Sequence, residues 1–247
     1  MTITLKALTA AIGMTMMAAP VFAERDWGLS LGLSYNKNTD TDNTLNELTG
    51  QGSYSYDRFG LQFDLVSNDY SFDSQRRSNV GLHAYYNLNQ NWKLGAYYGR
   101  QDWFGTDYDY YGVEGAFEND LWKVDGYVGK FEPGSGNSNT LFGFDARYLL
   151  WDGGFDNDDP FSSGPSSGPS FGPSSGPSSS FGGRYYLIGG WHGVRDNIDE
   201  NLIYLGASSE LVDGLFLDLR MARAADQNQF GVMLRKDFDG GGPFHTR

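Results

Sequence analysis

Cysteine is absent from the 247 residues, so no disulfide stabilises the chain, and hydrogen-bond closure and packing must hold whatever fold forms. Basic residues are scarce: 18 Lys and Arg stand against 31 Asp and Glu, for a formal charge of −13. A nucleic-acid partner needs a positive stripe to neutralise phosphates, and this balance argues against one. There are three histidines, His83, His192 and His245, and no zinc spacing, phosphate-cradling loop or nucleophile elbow accompanies them. The acidic run 152–159 lacks EF-hand spacing. No metal and no cofactor is therefore expected. Past the first 23 residues no continuously apolar run reaches the roughly 20 residues of a membrane-spanning helix. Long helical patterns are also missing, which leaves β structure as the organising element.

The leader is distinct from the rest. Residues 1–23 carry one charge, Lys6, then an apolar stretch 7–22, and end Val21-Phe22-Ala23. A short apolar run closed by a small-x-small ending reads as a secretory signal cleaved after Ala23, leaving a chain that starts at Glu24.

Glycine and aromatics are abundant, with 34 Gly, 17 Phe, 16 Tyr and 6 Trp, the composition of a β chain. The clearest unit is 109–131, DYYGVEGAFENDLWKVDGYVGKF. Tyr111, Val113, Gly115 and Phe117 alternate with Gly112, Glu114, Ala116 and Glu118; after Asn119-Asp120, Trp122, Val124, Gly126 and Val128 alternate with Lys123, Asp125, Tyr127 and Gly129. This period of two predicts an antiparallel hairpin, with Asn119-Asp120 a turn pair that tolerates positive φ. The same device recurs over 27–36, 48–56, 59–67, 79–88, 92–101, 141–150, 184–192, 202–211, 215–222 and 230–238, giving twelve segments. In 184–192 both faces carry apolar residues, so its facing is open.

Connections at 37–47, 68–78 and 102–108 are long, whereas 57–58 and 89–91 are short. Long and short loops therefore fall at opposite strand ends. Aromatics on the apolar face also sort by height. Trp27, Tyr56, Phe59, Trp92, Phe117, Trp122, Tyr148 and Phe238 lie near the short turns, and Tyr35, Tyr98, Tyr111, Phe142 and Trp191 near the long loops. Two such girdles match the interfacial preference of aromatic rings in a bilayer. The opposite face carries Asp64, His83, Lys93, Glu114, Lys123, Asp125, Asp145, Arg147, Asp218, Arg220 and Arg235 among many small residues. A soluble barrel would turn its apolar face inward; girdles and loop asymmetry favour lipid outside. The expectation is all-β: an antiparallel, up-and-down transmembrane β-barrel of about 12 strands.

With its signal 1–23, its amphipathic segments from Trp27 onward and its last run Phe230-Gly-Val-Met-Leu-Arg-Lys-Asp-Phe238, the chain resembles the bacterial outer-membrane β-barrel proteins of the porin-like class. The resemblance is one of pattern over nearly the whole mature chain and involves no family-specific motif. It implies a Gram-negative outer membrane with its lipid and lipopolysaccharide, recognition of the aromatic-ending last strand by the barrel-assembly machinery, and small polar solutes or ions as cargo. One departure is the tail 239–247, which follows Phe238 where such barrels usually end.

Residues 152–183 contain GPSSGPSFGPSSGPSSS, a flexible insert that cannot form a ladder. With eight strands before it, it falls on the periplasmic side, where long excursions are uncommon.

Two functions from different classes stay open, and neither oligomeric state nor solute is legible. One is a passive diffusion channel whose inner-face charges set selectivity; abundant inner glycine, which leaves space, favours it. The other is a closed barrel, filled by paired charges and by Tyr85, Tyr97 and Tyr127, serving as an anchor or surface-interaction protein. An outer-membrane hydrolase using His83 is a lesser alternative, and no enzyme is expected.

Overall fold

A computed structural model of the chain describes residues 25–71, 77–103, 106–133, 138–152, 183–196, 200–224, 227–238 and 244. The leader 1–23, nearly all of the insert 152–183 and the tail 239–247 apart from Phe244 lie outside the described residues. The strands are β1 (Arg25–Asn38), β2 (Thr44–Tyr56), β3 (Phe59–Tyr70), β4 (Arg77–Asn87), β5 (Trp92–Trp103), β6 (Thr106–Glu118), β7 (Trp122–Pro133), β8 (Asn139–Trp151), β9 (Tyr185–Arg195), β10 (Glu200–Val212), β11 (Leu215–Ala224) and β12 (Gln227–Phe238). Each pairs antiparallel with its sequence neighbours, and β1 pairs with β12 from Leu29↔Phe238 to Asn38↔Gln229, closing a twelve-stranded barrel. Closure leaves no strand edge unpaired, the condition under which a sheet can sit in hydrocarbon. Strands of 10 to 14 residues meet the roughly 9–11 residues a tilted spanning strand needs.

Polarity is inverted relative to a soluble protein. Outward side chains are apolar and exposed, as with Leu33, Leu61, Leu94, Val113, Ile203, Leu205 and Met221, while inward Asp64, His83, Asp125 and Asp218 are at most 1% exposed. Such a surface has its free-energy minimum in lipid, where the apolar side chains need no water and the ladder satisfies every spanning backbone group.

The turns differ from the sequence expectation in detail. Asn119-Asp120 was read as a turn pair that tolerates positive φ; the connection takes three residues, 119–121, and none of them has positive φ. Positive φ among the described non-glycine residues falls instead at Asp42, Asp57 and Asp196. Asn119 closes its turn by side chain, with Oδ1 accepting from the N–H groups of Leu121 at 3.0 Å and Trp122 at 2.7 Å. Asn89 does the same for Asn91 and Trp92, both at 2.9 Å. An Asx turn of this kind supplies the reversal without a left-handed residue.

The loop asymmetry also shrinks. The connections expected over 37–47, 68–78 and 102–108 reduce to 39–43, 71–76 and 104–105, because the flanking strands run on. Polar residues there continue the ladder, with Lys37 opposite Thr44, Leu45 opposite Tyr70 and Asp102 opposite Asp107. Alternation of hydrophobicity marks where lipid ends, whereas pairing continues as long as backbone groups find partners. The one long connection is the insert, between β8 and β9, at the barrel end that also carries the start of β1 and the end of β12. Its described ends are tied together, with Arg184 Nε donating to Asp152 Oδ1 at 3.0 Å.

Candidate functional site: the lumen

Strand alternation sends one residue in two into the lumen, and the register decides which of them meet. On β3, β4 and β6, Asp64, His83 and Glu114 converge. The His83 Nδ1 atom lies 2.8 and 2.9 Å from the two Glu114 carboxylate oxygens, and its Nε2 lies 3.1 Å from Asp64 Oδ2. The Gln62 amide donates to Asp64 Oδ1 at 3.0 Å. Beside this cluster stand Tyr97 and Tyr110, 3% and 5% exposed, with ring centroids 6.1 Å apart.

A second cluster joins β7, β8, β9 and β10. His192, whose facing was open from sequence, points inward and stacks on Tyr204 with an interplanar angle of 7°. Its Nδ1 lies 3.0 Å from the Tyr127 hydroxyl and its Nε2 lies 3.1 Å from Asp145 Oδ1, the atom to which the Tyr204 hydroxyl also donates at 2.5 Å. Asp125 faces Asp145 across the β7–β8 ladder.

The third cluster, on β8, β11 and β12, is cationic. Arg147 and Arg235 both lie over the ring of Phe216, their guanidinium carbons 5.1 and 4.5 Å from its centroid. Arg220 lies over Tyr204 at 5.3 Å and donates to Asp218 Oδ2 at 3.2 Å. Arg235 pairs with Asp237, which also accepts from Ser30 Oγ at 2.6 Å. These arginines are half-buried, not sealed. Stacked guanidiniums keep their charge and their remaining donors while the ring fixes their position.

All eleven charged inner-face residues of the sequence analysis thus project inward, but not equivalently. Asp64, His83, Glu114, Asp125, Asp145 and Asp218 are buried behind their neighbours. Lys93, Lys123, Arg147, Arg220 and Arg235 are half-buried. Lys93 reaches Glu118 at 3.8 Å, and Lys123 faces Arg147 in the β7–β8 register. The thirteen girdle residues project outward: Trp27, Tyr35, Tyr56, Phe59, Trp92, Tyr98, Tyr111, Trp122 and Phe238 are exposed, and Phe142 and Trp191 are half-buried against each other, with ring centroids 4.9 Å apart. Phe117 and Tyr148 are half-buried because Trp92 and Trp122 pack on them, with centroids 4.9 and 4.5 Å apart.

Sequence reasoning missed Tyr110, Tyr204, Phe216 and Phe244 as inner-face groups. For Tyr110 and Phe216 the signal was present, since they share parity with the assigned inward Glu114 and Asp218; on β10 no inward charge marked the parity of Tyr204. Inner glycine does not leave open space either. A Cβ at Gly60 would strike the ring of Tyr85 and one at Gly99 the ring of Tyr110, while at Gly190 it would come within 2.5 Å of Tyr204. The glycines are seats for tyrosines. Among the described residues no group of three His, Cys, Asp or Glu is arranged to hold a metal ion.

No family model matches the sequence, and no curated protein matches it. Solved structures do share its fold. A KdgM porin aligns over 85% of this chain and 99% of its own at a TM-score of 0.55 and 10% identity. The KdgM porin in complex with disordered oligogalacturonate gives 0.56 at 9% identity over the same shares. A NanC porin aligns over 83% of this chain and 98% of its own, with a TM-score of 0.52 and 7% identity. At such identities the likeness is one of backbone architecture, and the chain has the fold of the porin-like outer-membrane β-barrels.

Proposed function

We propose that the mature chain is an outer-membrane channel that passes ions or small polar solutes through its charged lumen. The observation that carries this reading is the inverted polarity of a closed barrel: apolar residues outside, and inside buried carboxylates on β3 and β6–β8 together with ring-stacked arginines on β8, β11 and β12. A barrel used only as an anchor would have no need for ordered charges of both signs, which cost desolvation to bury. In a narrow passage such charges form a field that orients polar solutes and sets ion preference. Arg147, Arg220 and Arg235, half-buried on one wall, are the selectivity groups in this reading; Asp64, His83 and Glu114 hold the opposite wall in shape. The leader directs export, the exposed outer face takes up lipid and lipopolysaccharide, and the aromatic end of β12 presents the barrel to its assembly machinery. Oligogalacturonate, present with one KdgM porin, carries several carboxylates and is a natural first solute to test against the arginine wall.

The second reading, a closed barrel acting as an anchor, is favoured by one observation: tyrosines and Phe244 fill much of the inner face that small residues would otherwise leave open. Hydrolysis at His83 is disfavoured, because both of its ring nitrogens already face carboxylate oxygens, leaving neither to activate a nucleophile.

Single-channel recording of the refolded chain from Glu24 onward in a planar bilayer tests the proposal. Discrete, stable openings whose current is interrupted by a permeant solute support the channel. An inserted barrel that stays silent, with and without Phe244, leaves the closed anchor.

A further inference from the structure

Phe244, from the segment after the last strand, is inside the barrel. It is 1% exposed, among the most deeply buried side chains described. Its ring stacks on His83, with centroids 5.9 Å apart and an interplanar angle of 10°, and meets Tyr85 edge-on at 5.7 Å. Its backbone is read as well. The Phe244 N–H donates to Gln62 Oε1 at 3.0 Å, and the Phe244 carbonyl accepts from Gln62 Nε2 at 3.0 Å and from Gln51 Nε2 at 2.5 Å.

This is a built receptor for one residue. A glutamine amide that gives a donor and an acceptor to the N–H and C=O of the same residue reproduces a β-ladder pair, and Gln62 and Gln51 are themselves 1% and 8% exposed. Tyr85 reaches its place because Gly60, opposite it in the β3–β4 register, has no side chain. Phe238 closes β12 at one barrel end, and six residues can span about 20 Å when extended, enough to reach the middle of a barrel whose strands rise about 3.4 Å per residue. The pocket contacts the Asp64–His83–Glu114 cluster directly, since Gln62 Nε2 is shared between Asp64 and the Phe244 carbonyl.

We infer that residue 244 is an internal latch: the lumen carries a site specific for an aromatic residue in peptide linkage, its occupant is the chain's own Phe244, and occupancy narrows the passage. This rests on the channel reading of the lumen. Withdrawal of Phe244 exposes one face of His83 and the amides of Gln51 and Gln62 to the lumen, widening the path along the β2–β4 wall while leaving the arginine wall untouched.

Two readouts on the refolded mature chain test it, one of which does not depend on conduction. In the first, Phe244 is replaced by the near-isosteric 4-fluorophenylalanine, and its fluorine resonance is followed with a soluble gadolinium complex. The line should stay sharp in the assembled barrel and broaden in the Gln51→Ala/Gln62→Ala variant. A line broadened already in the unsubstituted barrel, or unaffected by removing the two glutamines, overturns the latch. In the second, single-channel conductance of Phe244→Ala, and of a chain ending at Phe238, should rise at least two-fold over the full chain. A sharp line with equal conductance in all three overturns the latch as a closing device and leaves the channel standing. A sharp line with all three silent fails the channel reading itself, and the gating role with it.

Discussion

On the β3–β6 wall of the lumen, His83 lies between Asp64 and Glu114 with all three side chains at most 1% exposed. On the β11–β12 wall, Arg220 keeps 32% of its side chain exposed and Arg235 16%, although Asp218 between them is fully covered. Both walls bury carboxylates, and both pair them. The difference is in what is left over. Around His83 each ring nitrogen meets a carboxylate and Phe244 covers one face of the ring, so that wall is saturated and its charges act on one another. The arginines rest on aromatic faces, which hold a guanidinium without consuming its donors, so that wall keeps partly solvated charge. A buried ion cluster sets shape; a stacked, partly solvated one can act on a solute.

Breaking the saturated wall should have the largest effect. His83→Leu leaves two carboxylates buried without their bridging partner, and the expected loss is about 3–5 kcal/mol, read as a fall in the urea midpoint of the inserted barrel. Adding Asp64→Asn and Glu114→Gln to that variant should recover most of it; a His83→Leu barrel as stable as the parent would mean the cluster bears no weight.

A charge on the lipid side gives the scale for that number. Leu94→Arg, at an outward position 52% exposed, should cost about 2–4 kcal/mol near the bilayer midplane, less than loss of His83. Equal stability of Leu94→Arg and its parent in lipid vesicles would reverse the facing of β5.

The smallest change in stability and the clearest change in function should come from the arginine wall. Arg220→Gln and Arg147→Gln remove positive charge from a solvated position and should shift the reversal potential in a salt gradient toward cation preference. The same measurement on Asp64→Asn, a side chain 1% exposed on the β3–β6 wall, should show a smaller shift. Equal shifts from both walls would erase the distinction between them.

Much of this architecture was legible in the chain. Alternation placed Leu94 and Lys93 on opposite faces, aromatic sorting and loop lengths turned the Leu94 face outward, and cross-strand pairs such as Trp92 with Phe117 and Trp122 with Tyr148 formed the aromatic band that their positions near the short turns implied. Phe216 and Tyr204 went unassigned because neither carries a charge to mark it as inward, yet both are buried on the inner face, since backbone parity, not hydrophobicity, sets direction in a strand. The space attributed to inner glycine failed for a related reason: Gly60 and Tyr85 are 25 positions apart in sequence but opposite in the β3–β4 register.

Period-two patterning, the number of segments and the aromatic sorting by height were properties of the sequence by itself, since each follows from local backbone geometry and from the solvent each face must meet. Which inward residues touch was decided only by closure of the sheet. Barrel closure brought Asp64, His83 and Glu114 together from β3, β4 and β6, set Arg147 and Arg235 over the ring of Phe216 from β8 and β12, and gave Phe244 its contacts with Gln51 and Gln62. The last contact spans 182 positions or more of chain, and no local preference encodes a pairing at that separation; it exists because a closed barrel gives every strand the same interior.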